Sequence, residues 1–292
     1  MIVIGADVGG SSARVVLYDN GVEQGRAEGP GGSMRLGQGD VLAHLLAELI
    51  RPLFQRSRAA RADALVVGAS GAGREAERVE LQTALERQRL AWRVVTTTDA
   101  ELARTAAFEG DPGVLLIAGT GSIAVSRDAS GEFRRAGGLG WRMDDRGSAY
   151  WIGARALEAV GAMFDGTGTV THLAESLCTA ARVAGIAGLS HWSTRASTAD
   201  VAALAPAVLA CAGAGDPVAA TLRDAAVDAL VHLAIAAGGG PLPVAISGGL
   251  LAPDRALRDL VINGLERRGM TVTRRPIDPC RGAPILARAA PG

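Results

Sequence analysis

Two short glycine-rich turns, each set between an apolar run and a second strand-like run, constrain this chain more than any other feature. Near the start, residues 2–6 are apolar, Asp7-Val8-Gly9-Gly10-Ser11-Ser12 is turn-forming, and 13–18 reads as the next strand before Asp19-Asn20-Gly21 turns the chain again. Far along the chain the layout recurs. Residues 114–118 form the apolar run, Gly119-Thr120-Gly121-Ser122 the turn and 123–126 the second strand, and Asp128-Ala129-Ser130-Gly131 leads into 132–136. Glycine lets backbone N–H groups come close to an anion, so loops of this kind after strands often cradle phosphate. A dinucleotide fingerprint or a Walker loop runs from strand to helix and is spelled GxGxxG or ends in Gly-Lys-Ser/Thr. Neither spelling occurs at either turn, and each turn joins strand to strand. Two equivalent hairpins with hydroxyl residues beside the glycines suit a clamp on a nucleotide's phosphates from opposite sides. A repeat of such long period predicts two related lobes; the alternative is a chance likeness of two Gly hairpins.

The segments between the turns read as alternating helix and strand. Val41, Leu42, Leu45, Leu46, Leu49, Ile50, Leu53 and Phe54 recur at helical spacing, with Asp40 as the expected N-cap. A strand over 64–69, a helix within 75–90, a strand over 92–97 and a helix over 100–108 follow. After a helix beginning near Gly147, residues 149–237 read as mostly helical, broken by Gly and Pro. A strand over 243–247, a helix near 254–268, a short strand over 270–274 and a terminal helix over 282–290 complete the chain. The fold class expected is α/β.

Composition narrows the partners. Lys+Arg and Asp+Glu both number 30, so the chain has no net charge, and nothing marks it for nucleic acid or an anionic membrane. The longest apolar runs fall short of the ~20 residues a membrane span needs, and no basic and apolar leader opens the sequence, which makes the cytoplasm the expected compartment. Cys178, Cys211 and Cys280 are widely spaced, without a CxxC, and read as buried thiols. His44, His172, His191 and His232 show no ligand spacing. With 48% hydrophobic residues the 39 glycines argue for tight turns in an ordered protein, not for disorder.

Several motifs carry a resemblance in order along the chain. Gly5-Ala6-Asp7-Val8-Gly9-Gly10-Ser11-Ser12 resembles the first phosphate motif of the actin-like kinases, 117–122 the second, and Ala245-Ile246-Ser247-Gly248-Gly249 the adenosine motif. Gly68-Ala69-Ser70-Gly71-Ala72-Gly73, Thr97-Thr98-Asp99-Ala100, Ala136-Gly137-Gly138-Leu139-Gly140-Trp141 and Asp145-Arg146-Gly147-Ser148-Ala149-Tyr150-Trp151-Ile152-Gly153 follow the order seen in N-acetylglucosamine and glucosamine kinases. The resemblance, which extends to BadF/BadG-type ATPases, implies two ribonuclease-H-like lobes, 1–108 and 109–292, with ATP and sugar meeting in a cleft. The terminal helix over 282–290 would pack back on the first lobe.

It also implies roles. Phosphoryl transfer to a hydroxyl needs an acceptor held in line, neutralised phosphates and a carboxylate to take the proton. Asp99 would be that base, although Asp99 or Thr98 would serve equally well as a helix N-cap. Asp7 would hold Mg²⁺ through water, or else be a turn residue. Gly9, Gly10, Ser11, Ser12, Gly119, Thr120, Gly121 and Ser122 would donate to the phosphates, and Gly248 and Gly249 would let adenine lie against the backbone. Ser70, Gly71, Gly138 and Asp145 would face the sugar, with a helix cap as Asp145's other reading. The implied partners are ATP and a small-molecule sugar, with a homodimer left open.

Two departures qualify the substrate. The family spells Asp-Glu-Gly-Ser where this chain has Asp145-Arg146-Gly147-Ser148, and the Asn and Trp that contact the N-acetyl sugar in relatives are replaced by Gly29-Pro30-Gly31-Gly32-Ser33-Met34-Arg35. Phosphate handling is intact in the motifs; acceptor recognition is altered. The competing functions are an ATPase that activates acyl-CoA reductases or dehydratases, whose iron–sulfur cysteines this chain lacks, and a nucleotide-dependent sensor, against which the presence of both Asp7 and Asp99 argues.

Overall fold

The structure is a computed structural model and describes residues 1–10, 12–57, 60–238 and 240–289. In chain order the elements are β1 (Ile2–Val8), β2 (Ser12–Asp19), β3 (Val22–Pro30), α1 (Gly39–Ser57), β4 (Ala62–Ala69), α2 (Glu75–Arg87), β5 (Ala91–Thr97), α3 (Asp99–Phe108), β6 (Gly113–Ala118), β7 (Ser122–Arg127) and β8 (Phe133–Gly137). They continue with α4 (Ala149–Phe164), α5 (Leu173–Ala181), α6 (Gly185–Ser193), α7 (Thr198–Ala202), α8 (Ala205–Gly213), α9 (Pro217–Ala236), β9 (Val244–Ser247), α10 (Ala256–Arg267), β10 (Val272–Thr273) and α11 (Ala283–Ala289). Residue 290 of the expected terminal helix lies outside the described residues. No single helix among the described residues is long and apolar enough to cross a membrane.

Contacts divide the chain into two units, Met1–Pro112 with Arg275–Gly292, and Gly113–Arg274. Each holds a five-stranded sheet, in the order β3-β2-β1-β4-β5 and β10-β9-β6-β7-β8. Read from its other edge, the second order is that of the first. In each, two antiparallel hairpin partners (β1 with β2, β6 with β7) are extended by parallel strands on the far side of the first. The duplicated hairpins of the sequence are thus the corresponding corners of two sheets with one topology.

In unit one the central strands are buried on both faces, which is why β1 and β4 read as nearly continuous apolar runs. Ile4, Ala6 and Val8 pack with Leu46 and Ile50 of α1 and Leu81 and Leu85 of α2. Val3 and Val66 on the opposite face meet Leu102 of α3 and Ala283 and Ala287 of α11. The chain before α11 passes so close to β1 that a Cβ on Gly5 would lie 2.7 Å from the Ala283 side chain and 2.8 Å from the Cys280 carbonyl oxygen. In unit two the face of β6 and β7 carries Val114, Leu116 and Ala124 against Ile152 and Val160 of α4 and Leu230 and Ala234 of α9.

The helix expected from Val41 begins two residues earlier. Gly39 opens α1, so Asp40 lies in its first turn and its carboxylate meets Arg87 at 3.0 Å instead of capping. The capping acceptor comes from α2: Glu80 takes the amides of Gly37 and Gly39 at 3.0 and 2.7 Å.

Candidate functional site

The parallel register sets Asp7 beside Gly68 and Gly68 beside Thr97, so the carboxyl-terminal ends of β1, β4 and β5 lie level. Such ends are where ligands meet open α/β sheets. Asp7 is the last residue but one of β1. Asp99 is the first residue of α3, immediately after Thr98. Thr98 is the cap: its hydroxyl accepts the Glu101 amide at 3.0 Å. That leaves Asp99, half-buried, accepting the Ala100 amide at 2.9 Å and its own backbone amide. Burial raises its carboxyl above the ordinary range.

Burial, followed by the charge of Asp99, pushes the Asp7 carboxyl up to about 6. Arg14, paired with Asp7 across β1 and β2, opposes the rise. Its guanidinium is held by Glu28 at 2.8 Å, so the compensation is incomplete. Asp278, on the segment leading into α11, adds to the rise. Two desolvated carboxylates with too little local positive charge fit a hydrated divalent cation, which needs few protein ligands when phosphates and water supply the rest. Among the described residues no cluster of three acidic, His or Cys side chains offers a complete metal cage.

Three loops interlock beyond these strand ends. The Gly9 amide donates to the Ser12 carbonyl at 2.9 Å and the Gly32 amide to the Gly9 carbonyl at 3.0 Å. The Ser70 amide donates to the Val8 carbonyl at 2.8 Å, the Met34 amide to the Ser70 carbonyl at 2.7 Å, and the Ser33 and Ser70 hydroxyls stand 3.3 Å apart. Gly71 has φ +85°, and a Cβ there would come within 2.2 Å of the Met34 carbonyl oxygen. Gly10 and Ser12 are exposed at the first hairpin, whereas Ser11 lies outside the described residues. The segment over residues 29–35 is therefore bonded directly to Gly9 and Ser70.

In unit two the second hairpin is closed by Gly119 donating to the Gly121 carbonyl at 2.9 Å. It is tied to the start of α4, where the Ala149 and Tyr150 amides donate to the Gly119 and Thr120 carbonyls at 2.9 and 3.2 Å. Thr120 is exposed at the tip. Ser122 is buried, and both its donors are spent within the protein: its amide on Asp145 at 3.3 Å and its hydroxyl on the Arg146 carbonyl at 2.8 Å. The expectation that Ser122 offers donors to phosphate is corrected accordingly; it fastens the loop. Ser148 caps α4 through the Trp151 amide, so Asp145 has no capping role. Asp145 adopts φ +59° and is 8% exposed. A Cβ on Gly121 would lie 2.9 Å from its carboxylate, which burial pushes above the ordinary range. Gly138 joins the same cluster, its amide donating to the Ser122 carbonyl at 2.9 Å. Arg146 is 70% exposed and reaches Asp144 at 3.4 Å.

Gly248 has φ +99°, and a Cβ there would lie 2.2 Å from the Ala118 carbonyl oxygen. Gly249 opens a short 3-10 turn through Leu251. Beside it a cavity of about 650 Å³ is bordered by Gly119 and Thr120 on one side and by Ala202, Ala205 and Leu209 of α7 and α8 on another. Its walls are mostly small and apolar, which suits a flat heterocycle whose phosphates reach the hairpin. The sequence reading missed this helical wall; its signal is the run of small residues over 199–214.

The sequence pattern of the BadF/BadG/BcrA/BcrD ATPase family matches residues 4–286. The chain belongs to this family. Within it, the cavity beside Gly249, which Gly119 and Thr120 border, has walls suited to a nucleotide. The chain is 32% identical over 133 residues to an N-acetylmuramic acid/N-acetylglucosamine kinase of Clostridium acetobutylicum. That match covers 46% of this chain and 43% of the relative, so less than half of the curated relative's length is spanned. A proposed N-acetylglucosamine kinase of Chromobacterium violaceum shares the structure over 98% of both chains, with TM-score 0.82 and 29% identity. A hexokinase of the ROK group from Thermus thermophilus shares the fold, with TM-score 0.60 and 17% identity over 98% of both chains.

Proposed function

We propose that this member of the BadF/BadG/BcrA/BcrD family is an ATP-dependent sugar kinase. Its acceptor is an amino sugar, N-acetylglucosamine or glucosamine, or a related hexose, phosphorylated at the 6-hydroxyl. The observation that carries the reading is Asp99: a half-buried carboxylate at a strand end, released from capping by Thr98, its pKa raised by burial and Asp7 close enough to feel its charge. A turn or cap residue needs no such environment, whereas a general base gains from a pKa nearer to neutrality. The kinase of Clostridium acetobutylicum and the structural relative of Chromobacterium violaceum support the substrate class.

In this reading Asp99 accepts the proton of the acceptor hydroxyl as its oxygen forms a bond to the γ-phosphorus. The bond from that phosphorus to the bridging oxygen breaks, and ADP leaves with the electron pair. Asp7 would hold a hydrated magnesium ion, which would supply charge neutralisation on the phosphates. Gly10 and Ser12 of the first hairpin and Thr120 and Gly121 of the second present donors to the phosphates. Gly248 keeps the β9 turn against β6, and Gly249 borders the adenosine cavity. Ser70, Gly71 and Gly138 position the sugar, with Asp145 acting through the hairpin that it braces. ATP turnover with purified protein, measured against hexoses and hexosamines, tests the reading. ADP release that depends on one of these sugars is expected; hydrolysis at the same rate with every sugar, or none at all, overturns it in favour of an activator ATPase or a sensor.

A further inference from the structure

A second cavity, of about 620 Å³, lies wholly within unit one and takes no part in the proposed reaction. It runs along β5, an edge strand of its sheet, under α2. Arg61, Arg78 and Arg93 line it, against a single carboxylate, Glu86. The chain as a whole has no net charge, so this concentration of guanidinium groups is local. Arg93 donates to the Ala287 carbonyl. Arg61 and Arg78 form no ion pair among the described residues. Arg61 lies with its guanidinium carbon 4.1 Å from the centre of the Trp92 ring, and its Nε is buried without an acceptor. The stacking fixes the direction of a charge that pairs with no carboxylate among the described residues. Trp92 is itself 73% exposed, an unusual setting for a large aromatic ring.

We propose that this cavity binds a phosphorylated small molecule, its phosphoryl group held by Arg61 and Arg78 and its body resting against Trp92. A guanidinium forks onto phosphate oxygens, and two unanswered ones match the two charges of a phosphate monoester, where a single carboxylate would need only one. The volume suits a sugar phosphate or a comparable small metabolite. The site is separate from the nucleotide cavity, which belongs to unit two, and the proposal does not depend on kinase activity.

Tryptophan fluorescence and titration calorimetry test it on the full chain, with Mg²⁺ and a saturating non-hydrolysable ATP analogue present to occupy the nucleotide cavity. Glucose 6-phosphate, glucosamine 6-phosphate, inorganic phosphate and succinate serve as probes. Saturable binding of a sugar phosphate is expected, with a change in emission that Trp92→Phe abolishes. Losing two charge-assisted contacts in Arg61→Ala/Arg78→Ala should weaken that binding by about tenfold or more, with ATP turnover in the absence of the probe unchanged. The milder Arg61→Lys/Arg78→Lys, which keeps the charge but not the fork, should lie between. No binding by the wild type at millimolar probe, equal binding by the double alanine variant with its fold intact, or tighter binding of succinate than of every phosphate probe would each overturn the proposal.

Discussion

Asp7 and Asp99 carry the proposed chemistry of unit one, and the burial of Asp7 has a cost that can be measured. The folded-state pKa of Asp7, about 6, lies above its ordinary 3.8. Between those values the folded protein binds more protons than the unfolded chain. Stability of the metal-free protein therefore falls as pH rises from about 4 to about 6, then levels. Asp7→Asn should remove that cost and raise the stability of metal-free protein at pH 7 by roughly 1–2 kcal/mol, read by thermal or denaturant unfolding, while abolishing productive magnesium use. Turnover should have the opposite dependence: it needs both carboxylates ionised and declines as pH falls through about 6. Raising magnesium should move that acid limb to lower pH, because a cation beside Asp7 favours its charged form. An acid limb that ignores magnesium would remove Asp7 from the metal site. Arg146, exposed and paired only loosely with Asp144, is the other residue on which specificity turned in the sequence. Arg146→Glu should leave the ranking of sugars unchanged and alter stability by less than about 1 kcal/mol, as exposed pairs do. A gain of glucosamine over neutral hexoses would instead place Arg146 at the acceptor.

At the scale of elements, the turn after β9 lies against the end of β6 too closely for a side chain at Gly248. Gly248→Ala would set a Cβ 2.2 Å from the Ala118 carbonyl oxygen at a φ of +99°. It should cost about 2 kcal/mol or more and displace Gly249 from the nucleotide cavity, so that ATP affinity falls along with thermal stability. A variant as stable and as tight for ATP as the wild type would separate that turn from the nucleotide. The alternation of strand and helix was legible in the sequence because burial on both faces of β1, β4 and β6 writes short apolar runs, and Gly and Asp-Asn-Gly turns punctuate them. Element ends were less so. α1 starts at Gly39 because Glu80, far along the chain, accepts the amides of Gly37 and Gly39. A cap supplied from another helix leaves no local trace beside Asp40. For the same reason the roles of Ser122 and Asp145 were not legible: nothing in the spacing of residues 122 and 145 announces that one amide donates to the other's carboxylate.

At the scale of the whole molecule, the duplicated hairpin was a sound guide to architecture, because it marks the corner where β1 meets β2 and β6 meets β7 in two sheets of one topology. The second copy differs by its insertion. Among the described residues six helices, α4 to α9, stand between β8 and β9, where unit one has α1 between β3 and β4. That insertion supplies one wall of the cavity beside Gly249. In the proposed function the proton acceptor Asp99 of unit one and a nucleotide held by unit two serve one transfer. Phosphorus NMR of a reaction containing ATP, magnesium and the preferred sugar measures this directly. The account predicts that the wild type converts γ-phosphate into a sugar monophosphate in equal amount to ADP. It predicts that Asp99→Asn, with ATP affinity unchanged, forms the same product about 10²–10⁴-fold more slowly. Inorganic phosphate in place of the sugar ester, or an Asp99→Asn protein that makes the ester at the wild-type rate, would contradict it.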